Sequence, residues 1–522
     1  MQKQVKEYFY IKNYKPSTGI TGRSSGVLSS IPKYLWVNYE MRAGNDPNQT
    51  LKETIFSAQP AFPFTENNSG PHITYSEVVE KNTDGSIVDY KYTHYESKDE
   101  IKGHKDDPFV NTLQPLTSPY EPISSLAFTR GRLLSKETYD REGKLLEREY
   151  MLYKRVGPQT ACRATKSYQL YPCPQLFIYY VISTAYNNYT FPFLVYKSYH
   201  STFNPTNPQD SLTHVMDYEY DQSSFQPLKI TANISDGTKE VTKLTYPFNY
   251  SSQNQFISSL QQNFIHNSII EKVKYREDPA TQIKTIQEGE FTFYHNNGLK
   301  DSVYILNKLD KINYDNYTFS TVDASKNLKL DSRLKKRATY LYNSSNFLIY
   351  SNVDNKKTSY LWDEVEEKPI AVIENAEPSQ VFFNNFEKSG DLNFFRSGRK
   401  SYSGNFQMLM DSNPLNKIRG GTLSYWYYLK SSSTWTYAEE VFNGQNISIT
   451  GKDNIDDIRI FPKESKMTTY THLPLVGVSS VTNENNLRVI YEYDALGRLI
   501  QIKDDKLNVI KRYTYSYYTS GY

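Results

Sequence analysis

Tyr491-Glu492-Tyr493-Asp494-Ala495-Leu496-Gly497-Arg498-Leu499 is the stretch on which the reading of this chain turns. Its tyrosines alternate with the period of a strand, and Asp-x-x-Gly then marks a tight turn, because Asp bonds its own backbone and Gly takes positive φ without steric cost. A related pattern runs from Tyr470-Thr471-His472 to Gly477 and begins again at Tyr513-Thr514-Tyr515. The period is about 21 to 22 residues, which describes one β-hairpin per repeat stacked edge to edge. A lone hairpin cannot bury its aromatic face, so each copy requires its neighbours.

These residues resemble the YD-repeat, or RHS-repeat, family, whose signature is Tyr-Asp, a Gly two or three residues on, and then Arg-Leu. Tyr491, Tyr493, Asp494, Gly497 and Arg498 carry the match. The copy beginning at Tyr470 is looser, with Leu473 where Asp is expected and one extra residue before Gly477. Weaker echoes stand at Tyr139-Asp140 with Gly143-Lys144-Leu145, at Tyr218-Glu219-Tyr220-Asp221 and at Tyr340-Leu341-Tyr342-Asn343. The resemblance implies export to the cell envelope or the extracellular space. It also implies either a longer polypeptide of which this is the C-terminal portion, with the missing N-terminal half an expected partner, or a truncated paralogue. The segment Met1 to Tyr8 lacks the apolar core of a secretory signal.

Composition points the same way. The 522 residues exceed one ordinary core, so two to four modules are expected. With 47 tyrosines and 26 phenylalanines against 4 tryptophans, the apolar content is carried by rings that suit half-buried strands, and an all-β class follows. The 60 basic and 57 acidic residues are interspersed and nearly balanced, which offers no surface for nucleic acid. No run approaches the roughly 18 apolar residues of a membrane span. The 2 cysteines, Cys162 and Cys173, are too few for a structural zinc site. If the chain is exported, their spacing suits a hairpin-closing disulfide, and free buried thiols are the alternative.

Along the chain, Ile73 to Val79 and Ile87 to Tyr92 flank Asp84-Gly85, a signal for a hairpin with a primed turn. The four prolines Pro108, Pro115, Pro119 and Pro122 mark a surface loop. A second hairpin is expected around Tyr139 to Gly143. Phe177-Ile178-Tyr179-Tyr180-Val181 reads as a central strand, ended by Asn204-Pro205-Thr206-Asn207-Pro208. Between Gln253 and Ile270 apolar residues recur at helical spacing, the best helix candidate in the chain. The expected organisation is a Tyr-rich β region over 1–250, a helix and hairpins over 251–370, an inserted module over 371–465 and C-terminal repeats over 466–522.

Within 371–465 four segments appear in order: Asn385-Phe386-Glu387, Tyr402-Ser403-Gly404, Ser424-Tyr425-Trp426 and Asp456-Asp457-Ile458. This order is similar to carbohydrate-binding-module or galactose-binding jelly rolls, with Tyr425 and Ile458 replacing the usual Phe and Val. The resemblance implies a structural calcium ion held by Glu387 and Asp457, oxygen donors that a hard cation prefers. The other reading makes Glu387 a solvated strand-end charge and Asp457 a turn cap. A sugar would need an exposed aromatic platform. Trp426 and Tyr428 share one side of their strand, Leu423, Tyr425 and Tyr427 the other, and Trp435 with Tyr437 forms a similar pair. Which side faces the core is open.

No catalytic pattern emerges. The 8 histidines make no HExxH spacing, and neither a GxSxG elbow nor a Walker loop occurs. Glu439-Glu440 and Glu364 with Glu366 lack an acid-base partner, which leaves a glycosidase as a weak alternative. The self-cleaving Asp-Pro-x-Gly motif of RHS-type toxins is absent, since Asp46-Pro47, Asp107-Pro108 and Asp278-Pro279 all lack the Gly. The expectation is a non-catalytic, exported or surface-displayed repeat scaffold, its module contacting glycan or another cell-envelope component. The alternative is a fragment of a toxin-encapsulating shell. No cofactor is expected beyond that calcium.

Overall fold

Alternating tyrosines and β-branched residues make strands almost throughout, and the fold is all-β, with one α-helix among the described residues. The computed structural model describes residues 5–14, 22–28, 33–41, 50–61, 73–94, 126–173, 178–307, 312–363, 365, 367–391, 394–411 and 413–515. The proline-rich stretch, Phe177, Glu364, Glu366, Asp46-Pro47 and Asp107-Pro108 lie outside them. No described helix is long and apolar enough to cross a membrane.

One turn joins strand to strand repeatedly. At Asp494 the carboxylate Oδ1 accepts the amides of Leu496 and Arg498, both at 2.9 Å, while Gly497 sits at φ 74°. The same Asx geometry recurs at Asp140, Asn343, Asn483 and Asp504. The left-handed position is filled by Gly143, Asn346, Asn486 and Leu507, so it does not demand Gly. Asp84-Gly85 belongs to this class rather than to a primed turn: only Gly85 has positive φ, and Asn82 N–H bonds Ser86 O at 2.9 Å. In the copy beginning at Tyr470 the left-handed residue is Leu475, not Gly477. Gly477 instead opens the next strand, where an added Cβ would lie 3.2 Å from the Tyr493 hydroxyl.

That hydroxyl belongs to a second recurring device. Tyr493, at the end of Arg488–Tyr493, donates to Val478 O at 2.7 Å, at the start of the preceding strand Gly477–Thr482. Tyr153 to Leu133 O, Tyr220 to Val195 O, Tyr246 to Pro227 O and Tyr515 to Leu499 O repeat the bond at 2.7 to 3.0 Å, as does Trp362 Nε1 to Leu348 O. Each closes the open end of a hairpin whose other end is closed by a turn. Tyrosine and aspartate are neighbours in the motif because Tyr493 finishes one hairpin where Asp494 begins the next turn.

The first compact unit comprises Met1–Tyr250, His266–Gly289 and Lys308–Thr321. Its strands Glu77–Asn82, Ile87–Tyr92, Leu133–Tyr139, Leu145–Arg155, Phe193–Asn204, Asn207–Tyr220, Pro227–Asn233, Lys239–Thr245 and Glu271–Glu277 each pair antiparallel with the next. Ser76 breaks the first expected strand, its hydroxyl bonding Ser25 O at 3.1 Å. The buried Glu271 carboxylate accepts Ser320 N at 3.0 Å, Ser320 Oγ at 2.6 Å and Tyr317 OH at 3.0 Å. Burial raises its pKa despite those donors.

Two further expectations fail in this unit. The strand Ile178–Thr190 is not central: it pairs with Thr160–Cys173 as a separate two-stranded ribbon. The disulfide is also excluded, since Cys162 and Cys173 lie on that one strand and Cys162 is an exposed free thiol. Eleven residues of extended chain span about 36 Å, against the roughly 7 Å that a disulfide bridges.

The second unit comprises Ser251–Ile265, Glu290–Asn307 and Val322–Tyr522. Its helix is Gln255–Gln262, shorter than the apolar spacing predicts. Asn254 caps it by accepting Phe256 N and Ile257 N, and Ile257 and Leu260 are fully buried. After Asn263 the chain turns through Phe264 at φ 57°, leaving that ring exposed. Strands Lys300–Leu306, Leu334–Tyr342, Leu348–Val353, Lys356–Asp363 and Lys368–Glu374 form a ladder that continues through Lys466–Leu473, Gly477–Thr482, Arg488–Tyr493, Leu499–Lys503 and Val509–Arg512. Ala371 pairs with Thr469 and Glu374 with Lys466, so the ladder closes over the intervening chain.

That intervening chain makes its own sheets. Phe382–Asn384, Tyr402–Ser403, Asn454–Phe461, Gly421–Leu429 and Thr434–Phe442 form one, and Phe406–Met408 with Ile447–Ile449 forms the other. Phe386, Leu423, Phe442, Ile447, Ile449, Ile455, Ile458 and Ile460 pack between them as a single core.

Candidate functional site

The inserted module decides the side of its aromatic residues. Leu423 and Tyr425 are buried in the core and Tyr427 packs on it, which leaves Trp426, Tyr428, Trp435 and Tyr437 half-buried on the opposite face. Strand register sets Trp426 opposite Tyr437 and Tyr428 opposite Trp435. Their ring centroids are 5.4 and 5.7 Å apart, both pairs tilted.

A loop from Phe394 to Lys400 covers this face and joins it to the two carboxylates that the sequence singled out. Phe394 packs on Tyr428 at 5.1 Å, and the Arg396 guanidinium lies 4.2 Å above the Trp426 ring. Ser397 Oγ donates to Asp457 Oδ1 at 2.8 Å. Arg399 N and Lys400 N donate to Glu387 Oε1 at 2.7 and 3.0 Å. Gly398, at φ 65°, lies against the same carboxylate, where a Cβ would collide with Glu387 Oε1. Glu387 and Asp457 therefore grip one loop from two sides. Burial raises the Glu387 pKa, and the two backbone donors pull against it.

Beside Asp457 the chain buries charges that sequence reasoning did not connect. Asp456 is fully buried, Oδ2 accepting Arg396 N at 2.8 Å and Ser397 N at 3.1 Å, Oδ1 accepting Asp457 N at 2.8 Å. Burial first, and the adjacent Asp457 second, raise its pKa well above the ordinary aspartate range. Arg459, also buried, donates to Asn486 Oδ1 at 2.9 Å and Thr469 Oγ1 at 2.8 Å. Arg396 ion-pairs with Asp505, and Arg488 lies 3.8 Å from the same carboxylate, burial pulling its pKa down to about 10. Module and C-terminal hairpins thus meet through three guanidiniums and three carboxylates. The Arg396 guanidinium joins the Trp426 and Tyr437 end of the aromatic face to this joint, and Tyr428 and Trp435 lie at the other end of the face.

The remaining sequence candidates are dispersed. Glu439 and Glu440 are exposed, and Glu439 only accepts the Tyr437 hydroxyl at 2.6 Å. Tyr491 shares a strand with Tyr493, while Asp494 and Arg498 close their turn through Arg498 Nε at 2.7 Å. Asp278-Pro279 is a surface turn. The charged joint was hidden because Arg396 and Asp505 lie 109 positions apart. Its one sequence signal was the Asp456-Asp457 dipeptide, with Arg459, among the isoleucines of Asn454–Phe461.

No family model matches the chain, and no curated protein matches it. Among solved structures, it is similar to a chain of the TcdB2-TccC3 crystal structure at 8% identity and a TM-score of 0.30, covering 82% of this chain and 32% of that one. The Photorhabdus luminescens Tc holotoxin pore gives 7% identity and a TM-score of 0.27, covering 83% and 31%. The chain thus spans about a third of the length of those chains.

Proposed function

We propose that this chain is a non-catalytic length of hairpin-repeat wall of the YD/RHS kind, contributing to a shell around a polypeptide cargo. The observation that carries the reading is the recurring pair of devices, an Asx turn at one end of a hairpin and an aromatic side chain bonded to a carbonyl at the other. Strands closed locally at both ends can be added without enlarging a central core, which is what a wall requires. Cryo-EM of the assembly purified from the native cell tests it. A continuous hairpin sheet bounding a cavity that holds a second polypeptide is expected, and a sheet open to solvent on both faces would refute enclosure.

A second reading is an exported display scaffold whose module docks glycan, supported by the half-exposed Tyr428 and Trp435 pair on the face away from the core. Oligosaccharide titration of the full chain and of Trp435→Ala tests it: binding lost in the variant supports this reading, and no binding in either removes it. Calcium at Glu387 and Asp457 belongs to the same reading. Extracellular calcium sites work at about 10⁻⁴ to 10⁻³ M, so about 10 mM calcium should raise the melting temperature and chelator should reverse the rise.

A further inference from the structure

Across three adjacent strands of the first unit, Leu145–Arg155, Phe193–Asn204 and Asn207–Tyr220, the register sets Glu149 opposite His200 and His200 opposite His214. Glu147, two residues before Glu149, projects from the same face. One ligand atom from each of Glu147, Glu149 and His200 lies within 4.8 Å of the others. His200 Nε2 is 3.2 Å from Glu147 Oε1. His214 is exposed and has no side-chain partner among the described residues, so its ring is free to swing toward its cross-strand neighbour. Directly opposed residues have Cβ atoms about 4.5 to 5.5 Å apart, within reach of a shared ion.

We propose that Glu147, Glu149, His200 and His214 form a binding site for a first-row divalent transition ion, zinc above all. Imidazole nitrogens with carboxylate oxygens suit such an ion better than calcium or magnesium, which prefer oxygen throughout. Bonds of about 2.0 to 2.2 Å place tetrahedral ligand atoms about 3.4 Å apart. The side chains of Glu147, Glu149 and His200 need close in by only an ångström or so, His214 joins them by turning its ring from the opposed position, and the hydrogen-bonded strands beneath hold the Cα positions. One cation competes for the site: Lys136 Nζ, from the neighbouring strand Leu133–Tyr139, is 3.0 Å from Glu149 Oε1. Binding must displace that contact, and the half-exposed lysine can turn to solvent.

The test is calorimetric titration of the full chain with zinc alone. The wild type should bind with a stoichiometry of one, and His200→Asn and His214→Asn should each weaken binding by at least about tenfold, since even outer-sphere partners of a metal contribute 10- to 100-fold. Metal-free melts of both variants should match the wild type, which separates lost ligands from a lost fold. Lys136→Met should bind zinc more tightly, a gain that a merely structural role for this cluster would not produce. Cys162→Ser, which removes the exposed free thiol, should leave binding unchanged. Absence of zinc binding, equal affinity in the histidine variants, or loss of binding in Cys162→Ser would overturn the proposal.

Discussion

The C-terminal hairpins and the module inserted before them are held together by different physics. In Arg488–Tyr493 and Leu499–Lys503 every residue is half-buried, and no described residue of 483–515 is fully buried. In the module, seven consecutive residues of Asn454–Phe461 are buried, and twelve residues make one core. The hairpins rely on turns and side-chain hydrogen bonds to backbone that recur with the sequence, whereas the module relies on packing among residues scattered along it. A motif therefore announces the first kind of structure, and only the folded chain discloses the second.

The contrast can be broken most forcefully in the module core. Phe442 is fully buried, and Phe442→Ala should destabilise the module by about 4 kcal/mol, the usual cost of such a cavity. Site-resolved hydrogen exchange should report the loss at Ile455 and Ile458 more strongly than at Tyr491 and Ile502. Equal losses would mean that the two regions unfold as one.

The joint between them is the next largest effect. Arg459→Ala removes a buried guanidinium, leaving Asp457 in a less compensated site, and should cost about 3 kcal/mol. Thermal melts should show it, with faster exchange at Thr469 and Asn486, which Arg459 now bonds. An unchanged melt would make the charged joint incidental.

Acid should act on the two regions with opposite sign. Asp456 has a raised pKa in the fold, so its protonated form is favoured there, and its contribution to stability is lost as pH rises through that raised value from about pH 4. Asp494 and Asp504 have lowered pKa values, chiefly through hydrogen bonds from Arg498 and Asn508. Their contribution is present above about pH 4 and lost as pH falls through the lowered values. Melts of wild type and Asp456→Asn across this range should differ in slope above pH 4 and agree below it. Identical profiles would contradict the burial assigned to Asp456.

How far the sequence discloses the molecule follows from the same contrast. Tyr491 to Leu499, Tyr139-Asp140, Tyr220-Asp221 and Tyr342-Asn343 all mark strand ends with Asx turns, because each side chain acts on backbone within a few residues. Trp362-Asp363 does the same work, with Asp363 Oδ1 accepting Val365 N at 2.9 Å, yet it escaped notice because tryptophan stands in for tyrosine. The turns through Asn486 and Leu507 carry no such mark in the sequence, because the motif expects glycine in the left-handed position. The cysteine pairing failed because a single 14-residue strand spans both positions. In the module, the aromatic rows were legible as rows, but their orientation depends on Leu423 and Tyr425 meeting a core contributed by distant strands.

The central claim is that aromatic hydroxyls, not aromatic bulk alone, close the open ends of the hairpins. It is tested most directly by a set of Tyr→Phe substitutions read by thermal or denaturant unfolding of the full chain. Tyr153→Phe, Tyr220→Phe and Tyr493→Phe each remove one hydroxyl that donates to a carbonyl and should each lose about 1 kcal/mol. Tyr491→Phe, two residues from Tyr493, removes a hydroxyl with no such acceptor among the described residues and should change stability by only a few tenths of a kcal/mol. Losses confined to the three bonded tyrosines are the predicted result. Equal losses at Tyr491 and Tyr493, or none at any of the four, would contradict the account.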